Sequence, residues 1–147
     1  MTFPSDLQDI VRLAVAYVLA LPVGWYREKE AHTIGVRTFP LVAVAACGYV
    51  LLGTGPRMDA AAQSRIVQGL VAGIGFIGGG AILKAGRNVH GTATAASIWN
   101  TGAVGAAVAL DRFSMALMLA ALNLFALRVL MPLKQKLDKN KGGAEPG

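Results

Sequence analysis

The run RIVQGLVAGIGFIGGG, Arg65–Gly80, carries one charge in sixteen residues, at its first position, and six glycines. With its continuation, Ile66–Leu83 forms an apolar segment within the range of about 17–25 residues that crosses a bilayer as a helix. In lipid such a segment must satisfy its backbone internally, which makes it helical. At helical spacing, Arg65, Gln68, Gly69, Ala72, Gly73, Phe76, Gly79 and Gly80 share a mostly small or polar face, and Gly75 and Gly78 add to the glycine content. Ile66, Leu70, Ile74 and Ile77 form another face. Small residues let a second helix approach closely, so the glycine face is expected at a helix–helix interface, a homodimer seam among the options, with the branched face toward lipid.

Gly78-Gly79-Gly80 near the end of this segment supports two readings. Each glycine disfavours helix by about 1 kcal/mol relative to alanine, and a break would free carbonyls to line a cavity or coordinate an ion. The other reading is a closely packed, unbroken helix.

Four more apolar segments flank this one, at Leu7–Trp25, Thr38–Leu52, Thr92–Leu110 and Phe113–Met131. The expected architecture is all-α, a polytopic membrane helical bundle with five transmembrane segments, the second one short. The composition agrees, at 54% hydrophobic and 15% charged with 18 glycines among 147 residues. Five spans put Arg27, Lys29, Arg37, Lys84, Arg87, Arg128, Lys134, Lys136, Lys139 and Lys141 on one side, against Arg12, Arg57, Arg65 and Arg112 on the other. Ten against four places the C-terminus in the cytoplasm and the N-terminus outside. The residues before the first segment include Asp6 and Asp9 but no Lys or Arg, unlike a secretory leader, so that segment is expected to stay in the mature protein. Residues 1–132 are read as one transmembrane domain and 133–147 as a short basic disordered cytoplasmic tail.

The net charge of +6 is scattered between apolar segments, which excludes a nucleic-acid face and leaves the lipid bilayer as the first partner. The single cysteine, Cys47, reads as a small buried hydrophobe. His32 and His90 stand apart, no Ser-His-acid pattern occurs, and the glycine run lacks the Gly-Lys-Ser/Thr ending of a phosphate loop. No enzyme activity and no cofactor are expected, and no metal site can be assigned.

The candidate functional residues are polar. Thr94, Ser97 and Thr101 share a face of the fourth segment, which Thr92 opens, and Asn100 needs a partner there, with Asn123 of the fifth segment the first candidate. Trp25 and Tyr26 suit an interfacial belt, and Arg27, Glu28 and Arg37 lie in a first cytoplasmic loop. The Gly78–Gly80 run, the basic loop with Lys84, Arg87 and His90, and the start of the fourth segment at Thr92 and Thr94 converge on one junction. Arg27, Glu28 and Arg37 face the same side and would make a charged vestibule. Asp59 and Arg65 fall on the outer side.

The Arg65–Ile82 stretch and the block VHGTATAASIW, Val89–Trp99, resemble the signature of the MgtC/SapB family, with Tyr26-Arg27-Glu28 and Gly35-Val36-Arg37-Thr38 upstream in the family's order. The resemblance spans Leu7 to Met131 and implies a five-helix protein of the bacterial inner membrane. It implies a regulatory role in adaptation to low magnesium, acid stress or a host environment, through contacts with a membrane subunit of the F-type ATP synthase. The alternative is an ion or small-solute transporter or ion-binding protein, for which Mg²⁺ is the example. Departures from the pattern are Tyr26 for the usual Glu, Gly79 for Ala, His90 for a more basic residue, and Ala62 for an Asp, with Asp59 the nearest acid. Longer members continue into a soluble C-terminal domain, and this chain is expected to be a short member without it.

Overall fold

The computed structural model of the protein describes residues 5–31, 35–54, 58–85, 88–130 and 132. Helix α1 (Ser5–Ala31) is 27 residues long and continues past Trp25 through Tyr26, Arg27 and Glu28. This stretch, expected as loop, is helical because Tyr26–Ala31 contains good helix formers and neither Gly nor Pro. Glu28 instead folds onto the next connection, where its Oε2 accepts from Val36 N at 2.8 Å. Helix α2 (Thr38–Gly53) carries Pro40 in its first turn, where a missing N–H leaves no intrahelical bond unmade.

Helix α3 (Ala60–Gly80) starts six residues ahead of Ile66 because Asp59 caps it, accepting from Ala62 N at 2.6 Å. The glycine run forms its last turn and does not break the helix. The carbonyls of Gly78 and Gly79 accept from the N–H groups of Ala81 and Ile82 at 3.1 Å each, so these two oxygens are already engaged. The connection from α3 to the fourth helix departs from an all-helical expectation: strands β1 (Leu83–Ala85) and β2 (Asn88–His90) pair antiparallel, with Lys84 opposite Val89. Gly91 then turns the chain with φ of 86°, where a side chain would overlap the Ala81 carbonyl. Helix α4 (Thr92–Ala109) ends in a Schellman turn: Asp111 N bonds Val108 O and Arg112 N bonds Ala107 O. Helix α5 (Phe113–Phe125) runs into a π-helical turn over Ala126–Leu130.

Helix α4 is the centre, packed against each of the other four helices. Its approach is close because small residues meet backbone. A methyl group at Gly105 would overlap the Ala43 carbonyl of α2, and one at Gly102 would overlap Ile74 of α3. Ala16, Ala20, Ala43, Cys47, Val104 and Val108 fill the core between α1, α2 and α4.

The seating of α3 reverses the sequence expectation. Ile66 packs on Gly53, Ile74 on Gly102, and the half-buried Leu70 on the core, so these three members of the branched ridge face the bundle while Ile77 is exposed. Among the six α3 glycines only Gly78 lies against another helix, where a methyl group would come within 3.2 Å of Ala95 O. At Gly69, Gly73, Gly75, Gly79 and Gly80 a methyl group would meet nothing within 4 Å.

Three stretches are long and apolar enough to cross a membrane: Asp6–Glu30, Ala60–Gly80 and Phe113–Leu130. Helix α2, with 16 residues, is apolar but shorter. In α4 two Thr, one Ser and one Asn within its first nine residues dilute the hydropathy. Arg57, Arg87, His32 and the 133–147 tail lie outside the described residues.

Substituting Gly105 by Ala should lower stability by about 2 kcal/mol, in the range of an overpacked core, because α2 and α4 must part. Gly75→Ala, whose methyl group meets nothing, should leave stability intact or raise it by up to about 1 kcal/mol in the same thermal melts of detergent-solubilised protein.

Candidate functional site

A column of polar side chains runs along one face of α4. Thr94, Ser97 and Thr101, at the spacing expected for one face, are all buried. Arg27 reaches them from α1: it is only 4% exposed, and its Nη2 donates to Thr94 Oγ1. One turn further in, Ser97 Oγ donates to Asn123 Oδ1 at 2.8 Å, and Asn123 Nδ2 donates back to Ser97 O at 3.3 Å. Thr101 Oγ1 donates to the same carbonyl at 2.8 Å. Asn100 does not pair with Asn123. Its Nδ2 donates to Leu119 O of α5 at 3.1 Å, because Asn123 is already held by Ser97.

The expected junction is partly assembled. Arg27 and Thr94 meet, Gly78 lies against Ala95, and Gly24 lies under the Gly35–Val36 backbone that Glu28 holds. A methyl group at Gly24 would come within 3.1 Å of Gly35 O. Arg37, Lys84, His90 and Thr92 are exposed, whereas Arg27 is buried. Two cations sit over aromatic rings nearby: Lys29 over Trp25 at 5.3 Å and Arg128 over Tyr26 at 5.7 Å. Asp59 is the cap of α3, and Arg65 and Gln68 are exposed on α3's outer side.

A second polar assembly was not anticipated. Arg12 of α1 grips Asp111 with both arms of its fork, Nε to Oδ1 at 2.9 Å and Nη2 to Oδ2 at 2.7 Å, and also bonds Asp9 at 2.9 Å. The clamp ties α1 to the α4–α5 turn across 99 residues of sequence. Asp111 sits at φ of 57°, a left-handed conformation that glycine adopts more easily. An aspartate there gives the turn a carboxylate for Arg12. The sequence signal was a single acid, Asp111, between Asp59 and Asp138, at a turn following an apolar helix. Among the described residues, no three His, Cys, Asp or Glu side chains gather as a metal-binding group.

The bundle and its polar column define a small helical membrane protein, with apolar side chains such as Leu41, Leu52 and Phe76 turned outward. Residues 13–136 match the MgtC family, and the chain belongs to that family. It is 32% identical to protein MgtC of Salmonella choleraesuis over 136 residues, covering 92% of this chain and 58% of the relative. It is 35% identical to protein MgtC of Brucella abortus over 126 residues, 86% of this chain and 52% of that one. An uncharacterized Synechocystis protein is 37% identical over 126 residues, 86% of this chain and 53% of its own length. The chain thus spans a little over half the length of these relatives. No solved structure matches.

Replacing Asn123 by Ala removes two interhelical bonds and should destabilise the bundle by about 1 kcal/mol, within the range measured for hydrogen bonds between membrane helices. Ser97→Ala in that background should add little. A double-mutant cycle by reversible unfolding in detergent measures the coupling. Asp111→Asn should lower stability by less than about 1 kcal/mol, because the clamp is partly exposed.

Proposed function

We propose that the protein is a multi-pass regulator of the bacterial inner membrane, with five spans, its N-terminus outside and its C-terminus in the cytoplasm. Its role is adaptation to low magnesium, acid stress or a host environment, through contacts with a membrane subunit of the F-type ATP synthase. Family membership and the MgtC-named relatives support this reading. The observation that carries it is the engagement of the interior polar groups with one another. Ser97, Asn100, Thr101 and Asn123 all bond across or along helices, which favours a rigid body that works through its outer surface.

A second reading, an ion or small-solute transporter or ion-binding protein, is favoured by one observation. Thr94, Ser97 and Thr101 line up inside the bundle beneath the buried Arg27, and hydroxyls at that spacing can relay between a ligand and its path.

Complementation of a deletion strain in low-magnesium medium tests the first reading. The wild-type protein should restore growth and co-purify with ATP synthase subunits, and a protein that restores growth without that co-purification would contradict the reading. Purified protein in liposomes should give no Mg²⁺, Na⁺ or H⁺ flux above empty vesicles; flux that Thr94→Val abolishes would establish the second reading. For topology, a cysteine introduced at Ala144 should be labelled only from the cytoplasmic side, and labelling from outside would contradict the orientation.

A further inference from the structure

Helix α3 is covered far less than the other two long apolar spans: 6% of its span is buried, against 22% for those of α1 and α5. What it leaves open is not a generic lipid face. Gln68 is exposed there, eight residues or about 12 Å from the start of the helix at 1.5 Å per residue. An amide at that depth has both a donor and an acceptor to satisfy, and hydrocarbon offers it neither. Phe76, 85% exposed, is the most exposed of the large apolar side chains. Its four neighbours on the helix surface, at i−4, i−3, i+3 and i+4, are Ala72, Gly73, Gly79 and Gly80. The ring therefore stands as a single knob on a surface almost bare of side chains, and a methyl group at Gly69, Gly73, Gly79 or Gly80 would meet no other helix within 4 Å.

We propose that this face is the seam between two copies of the chain, packed α3 against α3 in parallel about a twofold axis. A second copy fits because the face is complementary to itself. Two copies inserted by the same machinery share one orientation, so each residue meets its own counterpart level at the same depth. Gln68 meets Gln68, and one amide donates while the other accepts. Phe76 of each copy lies in the hollow beside the other's ring, over Gly73 and Gly80. Gly69 and Gly73 form a G-x-x-x-G pair, which lets two backbones cross closely. With the crossing near Gly73, Gln68 lies about 7.5 Å along the axis, still within side-chain reach. Arg65 lies about 12 Å away, where the helices have diverged and its guanidinium can reach the outer headgroups. A groove of about 720 Å³ between α2 and α3, walled by Leu41, Tyr49, Gly69 and Gly73, flanks the seam and leaves room for the second copy's side chains. The pairing is independent of the regulatory reading and is tested without any other protein present.

Purified full-length protein is reconstituted in vesicles of phosphatidylethanolamine and phosphatidylglycerol. Single cysteines are introduced at Gly73, Phe76, Val67 and Val71, with the buried Cys47 left in place and the unaltered chain as the blank. Oxidation should give a crosslinked dimer at Gly73 and Phe76 and none at Val67 or Val71, which are exposed on α3 but off the seam. Subunit counting by single-molecule photobleaching should show wild-type dimers, and Gly73→Leu should convert them to monomers that keep the wild-type helical content. Crosslinking that is equal at all four positions, confined to Val67 and Val71, or absent, or a wild-type population of monomers, would overturn the proposal. These crosslinking and counting results decide the matter even if Gly73→Leu fails to fold.

Discussion

The close approach of two backbones, α4 at Gly105 onto α2 at Ala43, sets the rest of the arrangement. Nothing larger than hydrogen fits at Gly105, so the helices touch main chain to main chain. Lipid gives little driving force for helices to associate, and tight van der Waals contact of this kind supplies it. Once α4 is pressed on α2, its remaining faces are fixed for α1, α3 and α5. Its other glycine, Gly102, becomes the socket for Ile74. A socket needs a knob, and the branched ridge of α3 provides one where its glycine face could not. The open glycine face of α3 is thus a consequence of where α4 keeps its own glycines.

The polar groups follow from the same geometry. The face of α4 bearing Ser97 and Thr101 is buried, so each hydroxyl must find an acceptor; Ser97 finds Asn123 and Thr101 finds the Ser97 carbonyl. These bonds add specificity more than stability, since one membrane hydrogen bond contributes about 0.6 kcal/mol on average. They fix the rotation of α5 against α4. At the opposite end the Arg12–Asp111 fork fixes α1 against the α4–α5 turn. Arg27 is the most demanding member of the set, because a buried guanidinium needs hydrogen bonds in place of water. Its bond to Thr94 gives the start of α4 a specific partner on α1.

Much of this was legible in the sequence. The helices fall where the apolar segments fall, and the Thr94, Ser97, Thr101 spacing announced a shared face that is indeed buried. The family followed from ordered blocks of residues. The relations between segments were not legible. The spacing of Gly69 and Gly73 gives a face but not which face turns inward; that depends on Gly102, about thirty residues downstream. Asn100 and Asn123 both needed partners, yet pairing them ignored Ser97, which sits one turn closer to Asn123. The hairpin Leu83–His90 escaped notice because three-residue strands leave too short an alternation to read. The Arg12–Asp111 pair was not legible either, because a contact across 99 residues leaves no local pattern and Arg12 entered only the charge count that sets topology.

The seating of α3 is the central claim, and oxygen accessibility of spin labels placed one at a time along Ile66–Gly78 in lipid bilayers tests it most directly. Accessibility should be low at Ile66, Leu70 and Ile74, the positions turned toward Gly53, the core and Gly102, as at Gly78 against Ala95, and high at the exposed Val67 and Val71. If those three labels prove the most accessible of the series, the branched ridge faces lipid and the seating is contradicted.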